Sequence, residues 1–335
     1  MKLVILDGYT ENPGDLSWDG LRELAEVTVY DRTSLTDPAQ TIARIADAEI
    51  VLTNKTPLPR AVFEACPNIK MVGVLATGYN VVDIACARER GIPVCNVPAY
   101  GTASVSQYAI ALLLEACHHI GHHSDAVLAG RWASCPDWCF WDYPMIELYG
   151  KTAGIIGLGR IGQATAKLLN ALDMEVIAYD AHESEAGKKL AEYVSLDELF
   201  ARSDVIFLHC PLFPATEGII NKENIAKMKD GVMIINTGRG LLIHTNALIE
   251  GLKTKKVSAA GLDVYEEEGD YFYEDKSDKI IDDDVLARLL SFNNVIVTSH
   301  QAFFTKEALH NIADTTLRNI KDFEEGRPLV NEVTK

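Results

Sequence analysis

Between residues 150 and 300 one pattern repeats: a short apolar run rich in Val and Ile, then a stretch whose apolar residues fall at helical spacing. The runs 153–157, 175–179, 204–208, 232–236, 258–263 and 294–298 read as six strands. Strands that are apolar along their whole length are buried on both faces, and a parallel sheet with helices on either side buries them that way. The first third repeats the pattern more loosely. Strands are expected at 2–7, 27–30, 49–52, 70–74 and 93–96, with helical spacing at 19–24 and 38–46. No solenoid period and no low-complexity linker interrupts the chain. With 335 residues the expectation is two doubly wound α/β domains.

Charge limits the partners. Lys and Arg number 31 against 48 Asp and Glu, a formal net charge of −17. Such a chain lacks the basic footprint of a nucleic-acid binder, and an anionic membrane surface repels it. Any anion it holds must be captured locally, by an Arg, a helix N-terminus or backbone N–H groups. Hydrophobic residues at 48% and charged residues at 24% exclude a disordered chain. The first residues meet acid at Asp7 and do not read as a signal peptide; the apolar run 109–114 is too short to span a bilayer. Seven scattered cysteines, an odd number, read as reduced thiols. A soluble cytoplasmic protein is expected, with 266–284 as an acidic surface loop.

The sharpest local signal is Lys151-Thr-Ala-Gly-Ile-Ile-Gly157-Leu-Gly159-Arg160-Ile161-Gly162, an apolar strand entering G-x-G-x-x-G and then a helix over 163–172. The first glycine permits a tight turn, the second lets a pyrophosphate approach the backbone, and the third lets helix and strand pack closely. The helix N-terminus adds N–H groups and partial positive charge for phosphates. Asp180 stands 23 residues after Gly157, at the end of the next strand. A carboxylate there accepts from ribose hydroxyls and repels a 2′-phosphate, which favours NAD over NADP.

With this fingerprint in mid-chain, the sequence resembles the D-isomer-specific 2-hydroxyacid dehydrogenases along essentially its whole length. The resemblance is carried by Thr77-Gly-Tyr-Asn-Val-Val-Asp83, Asn96-Val-Pro-Ala-Tyr100, the glycine fingerprint and Ser203-Asp-Val-Ile-Phe-Leu-His-Cys-Pro211. It continues through Met228-Lys-Asp-Gly-Val-Met-Ile-Ile-Asn-Thr-Gly-Arg-Gly240, Gly261-Leu-Asp-Val264 and Thr298-Ser-His300. It implies a Rossmann NAD-binding domain, 101–299, inserted into a discontinuous flavodoxin-like substrate domain, 1–100 plus 300–335, with the cleft between them. It also implies a catalytic set of Arg239, Glu268 and His300. The chemistry needs these types. A guanidinium grips a carboxylate bidentately and polarises the adjacent carbonyl. Imidazole donates or removes the proton at C2, and a neighbouring carboxylate orients it and favours imidazolium.

The same resemblance assigns Thr77 and Gly78 to the substrate carboxylate, and Tyr100 and Phe303 to the pocket wall. Val105 would back the nicotinamide. Cys210, Pro211, Thr216, Thr237 and Asp263 would lie near the dinucleotide, Asp263 at the carboxamide. The segments 6–18, 74–80 and 139–144 resemble glycerate dehydrogenases, also called hydroxypyruvate reductases. Beyond 150, segments 263–268, 271–277 and 300–305 resemble D-lactate dehydrogenases. Phe303 tilts the reading slightly to pyruvate over hydroxypyruvate. Two other classes fit the residues less well. A dinucleotide-sensing corepressor is disfavoured by the complete catalytic set and the lack of a basic tail. A formate dehydrogenase typically pairs its His with Gln, and here Glu268 stands in that place.

Three features invite other chemistry. His118, His119, His122 and His123 form i,i+4 pairs, yet no acidic or Cys ligand sits at a suitable spacing, so a polar helix end is expected and no metal. Cys135 and Cys139 lack a second pair for a zinc knuckle. Trp132, Trp138, Trp141, Phe140 and Tyr143 form an aromatic cluster, expected at a homodimer interface with an intrachain core as the alternative.

Overall fold

Strand residues alternate faces, and in this chain both faces find a core. The computed structural model describes residues 1–268 and 283–335, so most of the expected acidic loop, 269–282, lies outside the described residues. The described chain forms two units, Met1–Tyr100 with Phe304–Lys335, and 101–268 with 283–303. His300 to Phe303 thus belong to the second unit, so the chain returns to the first at 304 and not at the expected 300.

The first unit holds β1 (Lys2–Ile5), β2 (Glu26–Val29), β3 (Ile50–Thr53), β4 (Met71–Val74) and β5 (Val94–Cys95). All pair in parallel, in the order β2-β1-β3-β4-β5. β1 stops short of its expected end because Asp7 turns inward. Its carboxylate accepts from the backbone N–H groups of Asn54 (2.8 Å), Lys55 (2.7 Å) and Thr56 (2.8 Å), pinning the loop after β3. The helix Lys306–Glu324 completes the unit, and Asn319 donates to Asn96 O at 3.1 Å.

The second unit holds β6 (Thr152–Ile156), β7 (Glu175–Tyr179), β8 (Glu192–Tyr193), β9 (Val205–Leu208), β10 (Val232–Asn236), β11 (Val257–Leu262) and β12 (Val295–Val297). The order is β12-β11-β10-β9-β6-β7-β8, all parallel. In the central strands the two faces divide between two cores. Ala153, Ile155, Val205, Phe207, Met233 and Ile235 join the core under the helix Thr102–His118, while Ile206, Leu208, Val232 and Ile234 join the opposite one. Each of the larger side chains, fully buried, contributes about 1.5–3 kcal/mol. The edge strand β8 has two residues and no apolar run, so the pattern missed it. From β6 the chain winds outward to β7 and β8, then returns beside β6 at β9 and winds the other way. The order therefore reverses between β6 and β9, where doubly wound sheets bind ligands beyond their carboxyl ends.

Candidate active site

The glycine turn sits at that reversal. Gly157 follows β6 with φ +95°, and a Cβ on it would stand 2.4 Å from the backbone N of Cys210, which follows β9. A Cβ on Gly162 would stand 2.2 Å from Gly157 O, so the helix Arg160–Ala171 packs directly on the turn. Gly159 differs: nothing of the protein lies within 4 Å of where its Cβ would be. It is the N-cap of that helix and supplies no side-chain cap, which leaves the first-turn N–H groups of Arg160, Ile161 and Gly162 for an external acceptor. Asp180 follows β7, half-buried. It accepts from Leu158 N–H at 2.7 Å, so it also braces the turn, and from His182 N–H at 2.9 Å. Thr237, after β10, has a buried hydroxyl without a protein partner. Open space at Gly159, uncapped N–H groups and an orphaned buried hydroxyl fit a bound dinucleotide.

The three expected catalytic residues follow three adjacent strands, β10, β11 and β12. Asn236 closes the turn after β10, accepting from Gly238 N–H at 3.0 Å and donating to Arg239 O at 2.9 Å. Arg239 is exposed. Gly240 lies so close to Tyr265 that a Cβ would collide with its carbonyl, which sets the Arg239 turn against the turn carrying Glu268. Glu268 accepts through Oε2 from Tyr265 N–H at 3.2 Å, and its Oε1 lies 2.9 Å from His300 Nδ1. Both side chains are about one-fifth exposed, shielded enough to hold their geometry yet open to a small molecule.

Asp263 organises the His300 turn. It is 1% exposed; Oδ1 accepts from Thr298 Oγ1 (2.6 Å) and Gln301 N–H (2.9 Å), and Oδ2 from Ala302 N–H (2.8 Å). Its own carbonyl accepts from His300 N–H at 2.7 Å. His300 is thereby held at φ +54°, a left-handed conformation that a non-glycine residue adopts only under such constraint. Gln301 also donates to Tyr108 Oη at 2.8 Å, tying the turn to the helix Thr102–His118. The sequence assigned no bracing role to Thr298, Gln301, Tyr108 or Asn236. Only Asn236, two residues before a glycine, carried a turn signal.

The other expected residues fall as follows. Val105 is buried on the helix Thr102–His118, and Val105 and Phe303 both approach Gly101. Cys210 is buried, and burial pushes its thiol up to about 11, so it stays neutral. Thr216 donates to Pro211 O at 2.7 Å and accepts from Phe213 N–H at 2.9 Å, closing the loop after β9. In the first unit, Thr77 and Gly78 follow β4 in a loop held by Asn96, which donates to Thr77 O at 2.8 Å; Tyr100 is half-buried. His209, given no role by the sequence, is half-buried after β9 with Nε2 3.0 Å from Thr165 Oγ1. Burial pushes its imidazole down to about 4, so a neutral ring stands beside the glycine turn.

The histidine run forms polar contacts. His122 Nε2 lies 2.7 Å from Asp142 Oδ2, and Tyr143 packs on His119 at 4.4 Å between ring centroids. Among the described residues no group of three or more His, Cys, Asp or Glu side chains could hold a metal ion. Trp132, Trp138 and Trp141 are exposed, so the aromatic cluster is not an intrachain core.

Residues 110–302 match the family model for the D-isomer specific 2-hydroxyacid dehydrogenase NAD-binding domain. Over their full lengths, the chain and the hydroxypyruvate reductase of Blautia hydrogenotrophica are 58% identical. The pyruvate reductase of Chlamydomonas reinhardtii superposes with a TM-score of 0.85 at 32% identity, over 99% of this chain and 98% of that one. The D-lactate dehydrogenase of Aquifex aeolicus, solved with NAD and lactic acid, gives 0.85 at 29%, over 100% and 99%. With its glycine turn and its Glu268–His300 pair on one doubly wound sheet, this chain belongs to the NAD-dependent D-isomer specific 2-hydroxyacid dehydrogenase family.

Proposed function

We propose that the protein interconverts hydroxypyruvate and D-glycerate, with NADH as reductant in the forward direction. The observation that carries an acid–base reading is the 2.9 Å contact between Glu268 and His300. In reduction His300 donates a proton to the oxygen at C2, and in oxidation it removes that proton; Glu268 orients the ring and favours its charged form. Arg239 grips the substrate carboxylate and draws electron density from the carbonyl. Thr77, Gly78, Tyr100 and Phe303 remain the proposed substrate contacts. NADH, when bound, supplies hydride to C2. Arg160, Ile161 and Gly162 would hold its phosphates, Asp180 its ribose hydroxyls, and Val105, Cys210, Pro211, Thr216 and Thr237 its remaining surface.

Identity along the whole length of the Blautia hydroxypyruvate reductase supports hydroxypyruvate and outweighs the tilt that Phe303 alone gives to pyruvate. Pyruvate is the second reading, favoured by Phe303 and by the likeness to the Chlamydomonas and Aquifex enzymes. The two differ by a hydroxyl at C3. A site built to bond that hydroxyl rejects the analogue lacking it by about 10⁴-fold or more, whereas an apolar site rejects the extra hydroxyl by only about 10²-fold. NADH oxidation assayed across hydroxypyruvate, pyruvate, glyoxylate and phenylpyruvate separates the readings, with His300→Gln as control. No turnover on any of them overturns the mechanism. NADPH serving as well as NADH overturns the role of Asp180.

The reading extends to a cytoplasmic homodimer joined through the face bearing Trp132, Trp138 and Trp141. Among the described residues no helix is long and apolar enough to cross a membrane. An unchanged mass in solution after Trp138→Ala and Trp141→Ala overturns the interface.

A further inference from the structure

The first sheet also reverses its winding. From β1 the chain goes out to β2, returns beside β1 at β3, and continues to β4 and β5. Ligands of such sheets bind beyond the carboxyl ends of the strands at that reversal. Asn54 is the first residue past the end of β3, so it stands there. Leu75 N–H donates to Thr53 O at 2.9 Å and Leu58 N–H to Val81 O at 2.8 Å. The loop bearing Asn54 therefore runs beside the loop bearing Thr77 and Gly78.

Asn54 is only 5% exposed, and its amide has one orientation. Thr10 Oγ1 gives its hydrogen to Asp7 O at 2.9 Å, so toward Asn54 it can only accept. The Asn54 amide nitrogen therefore faces Thr10 Oγ1, at 3.1 Å, and donates its second hydrogen to Glu11 Oε1 at 2.8 Å. The backbone N–H donates to Asp7 Oδ1 at 2.8 Å. Every donor of Asn54 is thus engaged within the first unit. Its Oδ1 has no partner among the described residues and is not sealed from solvent. A nearly buried side chain, clamped by three hydrogen bonds, keeps one acceptor open.

We propose that Asn54 Oδ1 accepts the C3 hydroxyl of the substrate and so selects hydroxypyruvate over pyruvate. This rests on the hydroxypyruvate reading above and names the residue behind it. Carboxylate and ketone oxygens have no hydrogen to give, and an amide oxygen repels them. The C3 hydroxyl is the one donor that hydroxypyruvate carries. Thr77 and Gly78, the proposed carboxylate contacts, lie on the neighbouring loop, and C3 is only two bonds from the carboxylate carbon. Pyruvate brings a methyl group, which leaves Oδ1 desolvated and unpaired.

The test compares kcat/KM for hydroxypyruvate, pyruvate and 3-fluoropyruvate in the parent and in Asn54→Leu, with NADH affinity and Tm recorded for both. Fluorine is close to a hydroxyl in size and carries no hydrogen. The parent should therefore use 3-fluoropyruvate at least about tenfold less well than hydroxypyruvate. In Asn54→Leu, kcat/KM for hydroxypyruvate should fall about 10²-fold while pyruvate stays within about threefold. NADH affinity should hold, and the ratio of two substrates on one preparation cancels any loss of folded enzyme. An Asn54→Leu variant that keeps its preference, or loses both substrates equally, overturns the proposal. A parent that uses 3-fluoropyruvate as well as hydroxypyruvate does the same. A parent that prefers pyruvate overturns the hydroxypyruvate reading itself, and this proposal with it, before any variant is made.

Discussion

Glu268 Oε1 stands 2.9 Å from His300 Nδ1, and the two residues reach that distance from turns 32 positions apart in the chain. If this pair moves the proton, His300→Gln lowers kcat by about 10²–10⁴-fold. Glu268→Gln keeps the shape and removes the charge, and kcat falls less while NADH affinity holds. Because an enzyme cannot change the equilibrium constant, kcat/KM for reduction and for oxidation must fall by the same factor. Steady-state kinetics in both directions check this, and a His300→Gln variant with undiminished turnover refutes it.

Gly159 and Gly162 make opposite predictions. A methyl group at Gly159 meets open space at φ −73°, which alanine adopts freely, so Gly159→Ala should fold with Tm within about 2 °C of the parent. It should bind NADH at least roughly tenfold more weakly, since the methyl occupies the phosphate approach. At Gly162 the methyl meets Gly157 O, and Gly162→Ala should lose about 1–3 kcal/mol of stability. Calorimetry with NADH titration separates a binding glycine from a packing glycine.

Asp263 was expected at the nicotinamide, and its carboxylate is engaged by the turn that carries His300. Asp263→Asn places an amide N–H against either Ala302 N–H or the Thr298 and Gln301 donors, and the turn shifts. The expected result is a kcat loss of about 10²-fold with NADH affinity nearly unchanged. A weakened NADH affinity at intact kcat would restore the cofactor role.

His209 sets an acid limit on stability. Its imidazole is pushed down to about 4 by burial, from an ordinary 6.5. Between those values the unfolded chain binds the extra proton, so stability is full above pH 6.5 and falls as pH drops toward 4. The loss is on the order of 3 kcal/mol. His209→Gln should flatten that fall, as read from urea unfolding at a series of pH values.

Glu11 acts in the opposite direction. It is buried, one oxygen bonded by Asn54 at 2.8 Å and the other without a partner, and burial and then Asp7 push its carboxyl well above the ordinary 4.5. The native state then holds the proton to higher pH than the unfolded chain, so stability falls as pH rises above 4.5. Glu11→Gln should raise Tm at pH 8 and converge with the parent near pH 4.5.

The sequence displayed the second unit well, because strands buried on two faces cannot hide. β7 and β10 begin and end where the pattern places them. β8 was invisible because two edge residues bury too little to leave a pattern. At the site, Gly157, Gly159 and Gly162 announced themselves through spacing alone, whereas Arg239, Glu268 and His300 needed the resemblance. The bracing by Thr298, Gln301 and Tyr108 depends on partners up to 193 positions away, which no local rule can read.

The glycine turn, Thr237 and the Glu268–His300 pair all belong to the second unit. On the proposed mechanism, the residues that would hold the hydride donor and those that would move the proton are therefore inherited together, as one module. Segments 1–100 and 304–335 can diverge, or be exchanged between relatives, and change which acid is selected without re-engineering the chemistry. The segments 6–18 and 74–80, which resemble glycerate dehydrogenases, lie in the first unit, whereas 139–144 and the D-lactate-dehydrogenase-like 263–268 lie in the second.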